Sequence, residues 1–163
     1  MSSISSGSKA TVHNYSNPDG ALCEFSGSYP SNWTYRINNN PISQEVLVFE
    51  PIQRKRGDLE TKLIIQWSKP QELLSLKEYT DLLLRRRQKS FDISSLEHEE
   101  SIISNQKARE ITYFAKRNEE DFIFNENITL NEGVIYHLTY QSDRKNYERH
   151  YDDIKEILSS FKI

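Results

Sequence analysis

The last third of the chain is its most constraining feature. In Gly133-Val-Ile-Tyr-His-Leu-Thr-Tyr140 the side chains alternate at period two. Val134, Tyr136, Leu138 and Tyr140 share one face, and Ile135, His137 and Thr139 share the other. That pattern predicts a strand over Val134 to Gln141. Ser142 or Asp143 is then placed to cap a helix. Its apolar stripe runs through Tyr147, Tyr151, Ile154, Ile157 and Leu158 to Phe161. A strand feeding directly into an amphipathic helix requires a sheet with a helix packed upon it.

The rest of the chain supplies that sheet. Its 163 residues suit one domain with one core. Only 36% are hydrophobic, but 11% are aromatic, and each ring buries a large area. A folded domain with a thin core and a wet surface follows. Residues 1–17 are rich in Ser, Gly and Asn and read as a flexible N-terminal segment, leaving 18–163 as the domain. Asn17-Pro18-Asp19-Gly20 is a turn signal, and Leu22 to Phe25 reads as a first short strand. After a turn at Tyr29-Pro30, Trp33, Tyr35 and Ile37 alternate on a second strand.

Asn38 to Pro41 is a loop. Val46 to Phe49 is a continuous apolar run, expected of a central strand covered on both sides. Gln53 to Asp58 is a charged connection to its neighbour, Lys62 to Trp67. Ser75 and Glu78 have the spacing of a capping box for a helix with Leu76, Tyr79, Leu82 and Leu83 as its stripe. Glu100 to Ser104, Ala108 to Lys116, Asp121 to Leu130 and Val134 to Gln141 then read as four strands. Their turns include Asn118-Glu119 and Asn131-Glu132-Gly133. The expected fold class is α+β: an antiparallel sheet with helices packed on its faces, an α-β-α sandwich.

Several of these residues together resemble the PsbP-like family, whose fold is shared by Mog-type Ran-binding proteins and DcrB lipoproteins. The resemblance rests on Tyr29-Pro30 with Trp33, on Val46-Leu-Val-Phe49 before Glu50-Pro51, and on Ser75-Leu76 with Glu78-Tyr79. It rests further on Gly133 with Tyr136, Leu138-Thr139-Tyr140 and Tyr147, and on the terminal Ile157-Leu-Ser-Ser-Phe161. Where family members carry Gly before the strand that follows the helix region, this chain has Asn105-Gln106-Lys107-Ala108, and Asn can take the same left-handed turn. The resemblance implies a binding or assembly role without catalysis. Photosynthetic members are extrinsic subunits or assembly factors of photosystem II that help retain calcium and chloride at the oxygen-evolving centre. The expected partner is therefore a protein: photosystem II subunits, or a small GTPase in a cytosolic or nuclear regulator of the same fold. A monomer is expected.

The chemistry legible in the residues is sparse. The net charge of −3 argues against a nucleic-acid partner. One cysteine, Cys23, excludes an internal disulfide and reads as a buried strand residue. No stretch approaches transmembrane length and no secretory core follows Met1, so the reading as written is cytoplasmic, or lumenal if a targeting segment has been removed. No phosphate loop, nucleophile elbow or zinc-spaced Cys/His pattern occurs, so no enzyme is expected. His150 and Asp153 are the candidate metal pair, since imidazole and carboxylate suit a divalent cation such as calcium bound weakly. The competing reading is that His150 simply packs. Glu97-His98-Glu99-Glu100 looks like a ligand run, but neighbours on a strand point apart, and it reads as a solvated acidic turn. Arg54-Lys55-Arg56 is the candidate partner-binding loop, and Arg85-Arg86-Arg87 reads as cations compensating a helix dipole.

Overall fold

A computed structural model describes residues 11–18, 23–38, 46–52, 61–90 and 92–163. Seven strands form one antiparallel sheet: β3 (Trp33–Asn38), β4 (Val46–Pro51), β5 (Lys62–Ser68), β6 (Asp92–Ile103), β7 (Gln106–Arg117), β8 (Glu120–Asn131) and β9 (Val134–Asp143). Their spatial order is β3-β4-β5-β9-β8-β7-β6. Two meanders thus meet where β5 pairs with β9. A two-stranded ribbon, β1 (Val12–Ser16) and β2 (Ser26–Pro30), stands beside the sheet. The helices are α1 (Leu76–Ser90) and α2 (Tyr147–Ser160).

The helices lie on opposite faces, and β9 shows why. Its Tyr136, Leu138 and Tyr140 share a core with Ile154 and Ile157 of α2. Its Ile135 belongs to a second core with Leu83 of α1, Ile111 and Tyr113 of β7, and Phe122, Phe124 and Ile128 of β8. The expected α-β-α sandwich is therefore the observed architecture. Trp33, Phe49, Tyr136 and Phe161, all at the apolar phase of their elements, are buried.

Local signals place the turns and one helix start. Ser75 Oγ accepts from the Glu78 N–H (3.1 Å), and Glu78 Oε2 accepts from the Ser75 N–H (2.8 Å). The three hairpins of the second meander turn on Ser104-Asn105, Asn118-Glu119 and Glu132-Gly133, all with positive φ. Two consecutive left-handed residues are what a tight hairpin requires, because that turn matches the right-handed twist of its strands.

Four expectations need correction. The N-terminal segment is ordered structure from Val12: β1 pairs with β2, and Tyr15 is buried against Phe49 with ring centroids 4.9 Å apart. Residues 1–10 lie outside the described residues. Of the short strand expected at Leu22 to Phe25, Leu22 lies outside the described residues and residues 23–25 are not strand; the strand there is Ser26–Pro30, and Phe25 is a core plug against Trp67 and Phe161. Cys23 accordingly sits half-buried in a bend, not in a strand. The strand expected at Glu100 to Ser104 begins eight residues earlier, at Asp92. Its acidic run is strand, and an edge strand exposed on both faces needs no hydrophobic period. Finally, Asp143 does not cap α2 at its first turn. It accepts from the N–H groups of Lys145 and Asn146 (2.9 and 3.0 Å) in the turn before the helix.

Candidate functional site

The α1 face holds the most buried charge. Glu126 sits in β8 at the same phase as Phe124 and Ile128, and its side chain is fully enclosed. Arg87 reaches down from α1 and grips it with two bonds, Nε to Oε2 at 3.0 Å and Nη2 to Oε1 at 2.8 Å. His137 of β9 lies 2.8 Å from the same Oε1 through Nε2. An ionised carboxylate only accepts, so His137 donates there. Burial alone would raise the Glu126 carboxyl, but the bonds from His137 and Arg87 outweigh it and bring it down to about 2. The Tyr113 phenol, pushed up by burial and then by the Glu126 charge, borders the cluster. Its ring stacks on Phe124 with centroids 5.0 Å apart.

Of the three arginines read as dipole compensation, Arg85 and Arg86 are exposed as expected, and Arg87 is not. Part of the signal for this cluster was in the sequence: Glu126 interrupts an apolar phase that Phe122, Phe124, Ile128 and Leu130 of β8 otherwise keep. The arrangement clamps α1 to the sheet. Both oxygens of its carboxylate face a donor.

The opposite face carries a different chemistry. Glu97 and Glu99 of β6 stand directly across from Thr112 and Glu110 of β7. They share that side of the sheet with Asn125 and Asn127 of β8. Asn125 donates to Thr112 Oγ1 (3.0 Å), and Asn127 donates to Asn125 Oδ1 (2.7 Å). A groove of about 370 Å³ runs there, lined by Glu97, His98, Glu99, Glu110 and Thr112. Burial and then the neighbouring Glu99 hold the Glu110 carboxyl above the usual carboxylate range. Like charges directly opposite on a sheet repel.

The candidate metal pair lies elsewhere. Asp153 Oδ2 accepts from Trp33 Nε1 (2.9 Å) and from Asn32 Nδ2 (3.0 Å). His150 is buried with its ring edge-on to Trp33, centroids 5.6 Å apart, and its Nε2 is 3.2 Å from Arg149 Nη2. Both side chains thus meet at Trp33. Among the described residues, no three His, Cys, Asp or Glu side chains gather as a metal site. Glu97, His98 and Glu99 alternate along β6 as neighbours on a strand must, with His98 opposite Ile111. Arg54, Lys55 and Arg56 lie outside the described residues. Among the described residues, no helix is long and apolar enough to cross a membrane.

No family model and no curated protein sequence matches the chain. Solved structures do. The cyanobacterial PsbP (CyanoP) of Synechocystis superposes with a TM-score of 0.61 at 16% identity, over 100% of this chain and 98% of that one. The Pseudomonas aeruginosa protein of unknown function PA94 gives 0.63 at 13% identity, over 91% and 94%. LpqN, involved in cell envelope biogenesis of Mycobacterium tuberculosis, gives 0.68 at 11%, over 93% and 90%. Likeness at such low identity is likeness of fold, and the fold of this chain is the PsbP-like one shared by Mog, PsbP and DcrB proteins.

Proposed function

We propose that this protein is a non-enzymatic module that binds another protein. The observation that carries this reading is the acidic sheet face beside α2, where Glu97 and Glu99 are exposed and crowd the half-buried Glu110. A face of uncompensated charge is suited to meeting a complementary surface, since complementary potentials steer encounter and set specificity. The buried charges on the other face are spent on holding α1 in place.

Photosystem II is the finer part of the proposal. It draws on the likeness to the Synechocystis PsbP, whereas LpqN is involved in cell envelope biogenesis and PA94 is a putative regulator of unknown function. The reading therefore commits first to protein binding and only then to a photosynthetic partner. Affinity capture with the full chain in extracts of its source organism tests both. A stoichiometric protein partner is expected, with photosystem II subunits among the captured proteins if the finer part holds. Repeated capture of no protein above background would sink the reading. A specific partner unrelated to photosynthesis would remove the finer part alone.

A further inference from the structure

Strand β6 closes one side of the sheet, and among the described residues nothing pairs with its outer edge. It is 12 residues long, about 40 Å at the usual rise per residue. Half of its backbone N–H and C=O groups therefore point away from β7 with no strand to meet them. Such an edge is a template for an added strand.

The charge on the edge decides what could add. Asp92, Glu97, Glu99 and Glu100 are all exposed. A second copy pairing edge to edge would bring eight carboxylates together, and nucleic acid would be repelled for the same reason. On the α1 side, Glu100 has the Arg109 guanidinium at 4.0 Å. On the α2 side, none of Glu97, Glu99 and Glu110 has an ion-pair partner among the described residues. A strand laid along β6 would place every second side chain over that acidic groove. A lysine or arginine there has the length to cross Glu99 and reach Glu110. On the other side the same strand would meet Leu96 and the exposed Ile102, which favour apolar residues.

We propose that the outer edge of β6 receives an extended segment of a partner protein, basic at alternate positions, as an eighth strand of the sheet. This rests on the protein-binding reading and names the chemistry of the partner. Main-chain bonds supply the pairing, and the carboxylates reject neutral, acidic or self-derived strands. The competing idea is that the carboxylates only guard the edge against aggregation.

The test uses the purified full chain and a synthetic 12-residue peptide alternating Lys and Val, matched to the length of β6. Three comparison peptides accompany it: one alternating Glu and Val, and two Lys/Val peptides N-methylated at alternate amides in either phase. Binding is followed by fluorescence anisotropy at low salt, and backbone protection by amide exchange. The parent peptide should bind and protect β6 amides, one methylation phase should abolish binding, and the Glu peptide should not bind. The double variant E97K/E99K should lose affinity by about tenfold or more, since close charge pairs control such contacts. Both positions are exposed, so an unchanged thermal midpoint will show that the variant folds.

Equal binding by both methylated peptides would overturn strand addition in favour of loose charge attraction. No binding by the parent peptide, or binding indifferent to E97K/E99K, would overturn the proposal outright. If a natural partner is captured and E97K/E99K retains it fully, the edge is wrong and the protein-binding reading stands. Failure to capture any partner would instead count against that reading.

Discussion

The indole N–H of Trp33 donates to Asp153 Oδ2 at 2.9 Å, joining the start of β3 to the middle of α2 across 120 residues. The same oxygen also takes a bond from Asn32. Trp33 is buried, so its N–H has no water to fall back on. Asp153→Ala should therefore cost about 1–3 kcal/mol, the penalty for stranding a buried donor. Asp153→Asn keeps an acceptor oxygen and should cost less. Urea denaturation of both variants checks the order, and equal midpoints would show that the bond contributes little.

The clamp on α1 makes an asymmetric prediction. Glu126 is fully enclosed, whereas the Arg87 side chain is 27% exposed. Arg87→Met strips a buried carboxylate of its main partner and should cost about 3–5 kcal/mol. Glu126→Gln leaves a guanidinium that can turn toward water and should cost about 1–3 kcal/mol. Thermal midpoints of the two variants decide the order.

Acid should expose the same cluster. The folded Glu126 carboxyl is held at about 2, below its unfolded value of ~4.3. The folded state therefore binds its proton less readily, and its stabilising contribution is complete above the unfolded value. It shrinks as pH falls from there toward 2. Denaturant titrations across that window should show a steeper loss in the parent than in Glu126→Gln, which has no carboxyl to protonate. Parallel slopes would remove Glu126 from the account.

Gly27 and Tyr15 face one another across the ribbon. A Cβ at position 27 would run into the Tyr15 ring. Gly27→Ala should destabilise by about 1–3 kcal/mol, as overpacking does. The Tyr15 hydroxyl is buried with no hydrogen-bond partner among the described residues. Tyr15→Phe removes a group whose desolvation is unrewarded, so it should be neutral or stabilising. A clear loss on Tyr15→Phe would show that the hydroxyl is satisfied in solution.

Phe161 closes the core shared by α2 and the sheet, with its ring 5.8 Å from Tyr136 and 5.7 Å from Phe25. Phe161→Ala should cost about 3–5 kcal/mol. It should also loosen β2, because Lys162 exchanges two main-chain bonds with Ser26 (2.8 and 2.9 Å). Amide exchange at Ser26 reads that second effect directly.

Period and turn chemistry are local, and they made much of the fold legible in the residues. The alternation of Val134 to Tyr140, the capping box at Ser75 and Glu78, and the Asn-bearing turns specify their elements within a few residues. The fate of each charge is not local. Arg87 has the same sequence surroundings as Arg85 and Arg86, and only the packing of α1 over β8 turns it inward to Glu126. Asp153 reads as a candidate metal ligand beside His150, and only the arrival of β3 gives it Trp33 as a partner. The acidic run at Glu97 to Glu100 reads as a turn because an edge strand open on both faces leaves no hydrophobic period. Its strand state comes from pairing with β7, a partner that the run itself does not name. Periodicity thus sets which stretches become strands and helices. Which strand becomes an edge, and which charge meets which, is decided only when long-range pairing closes the sheet, because those energies belong to contacts between distant residues.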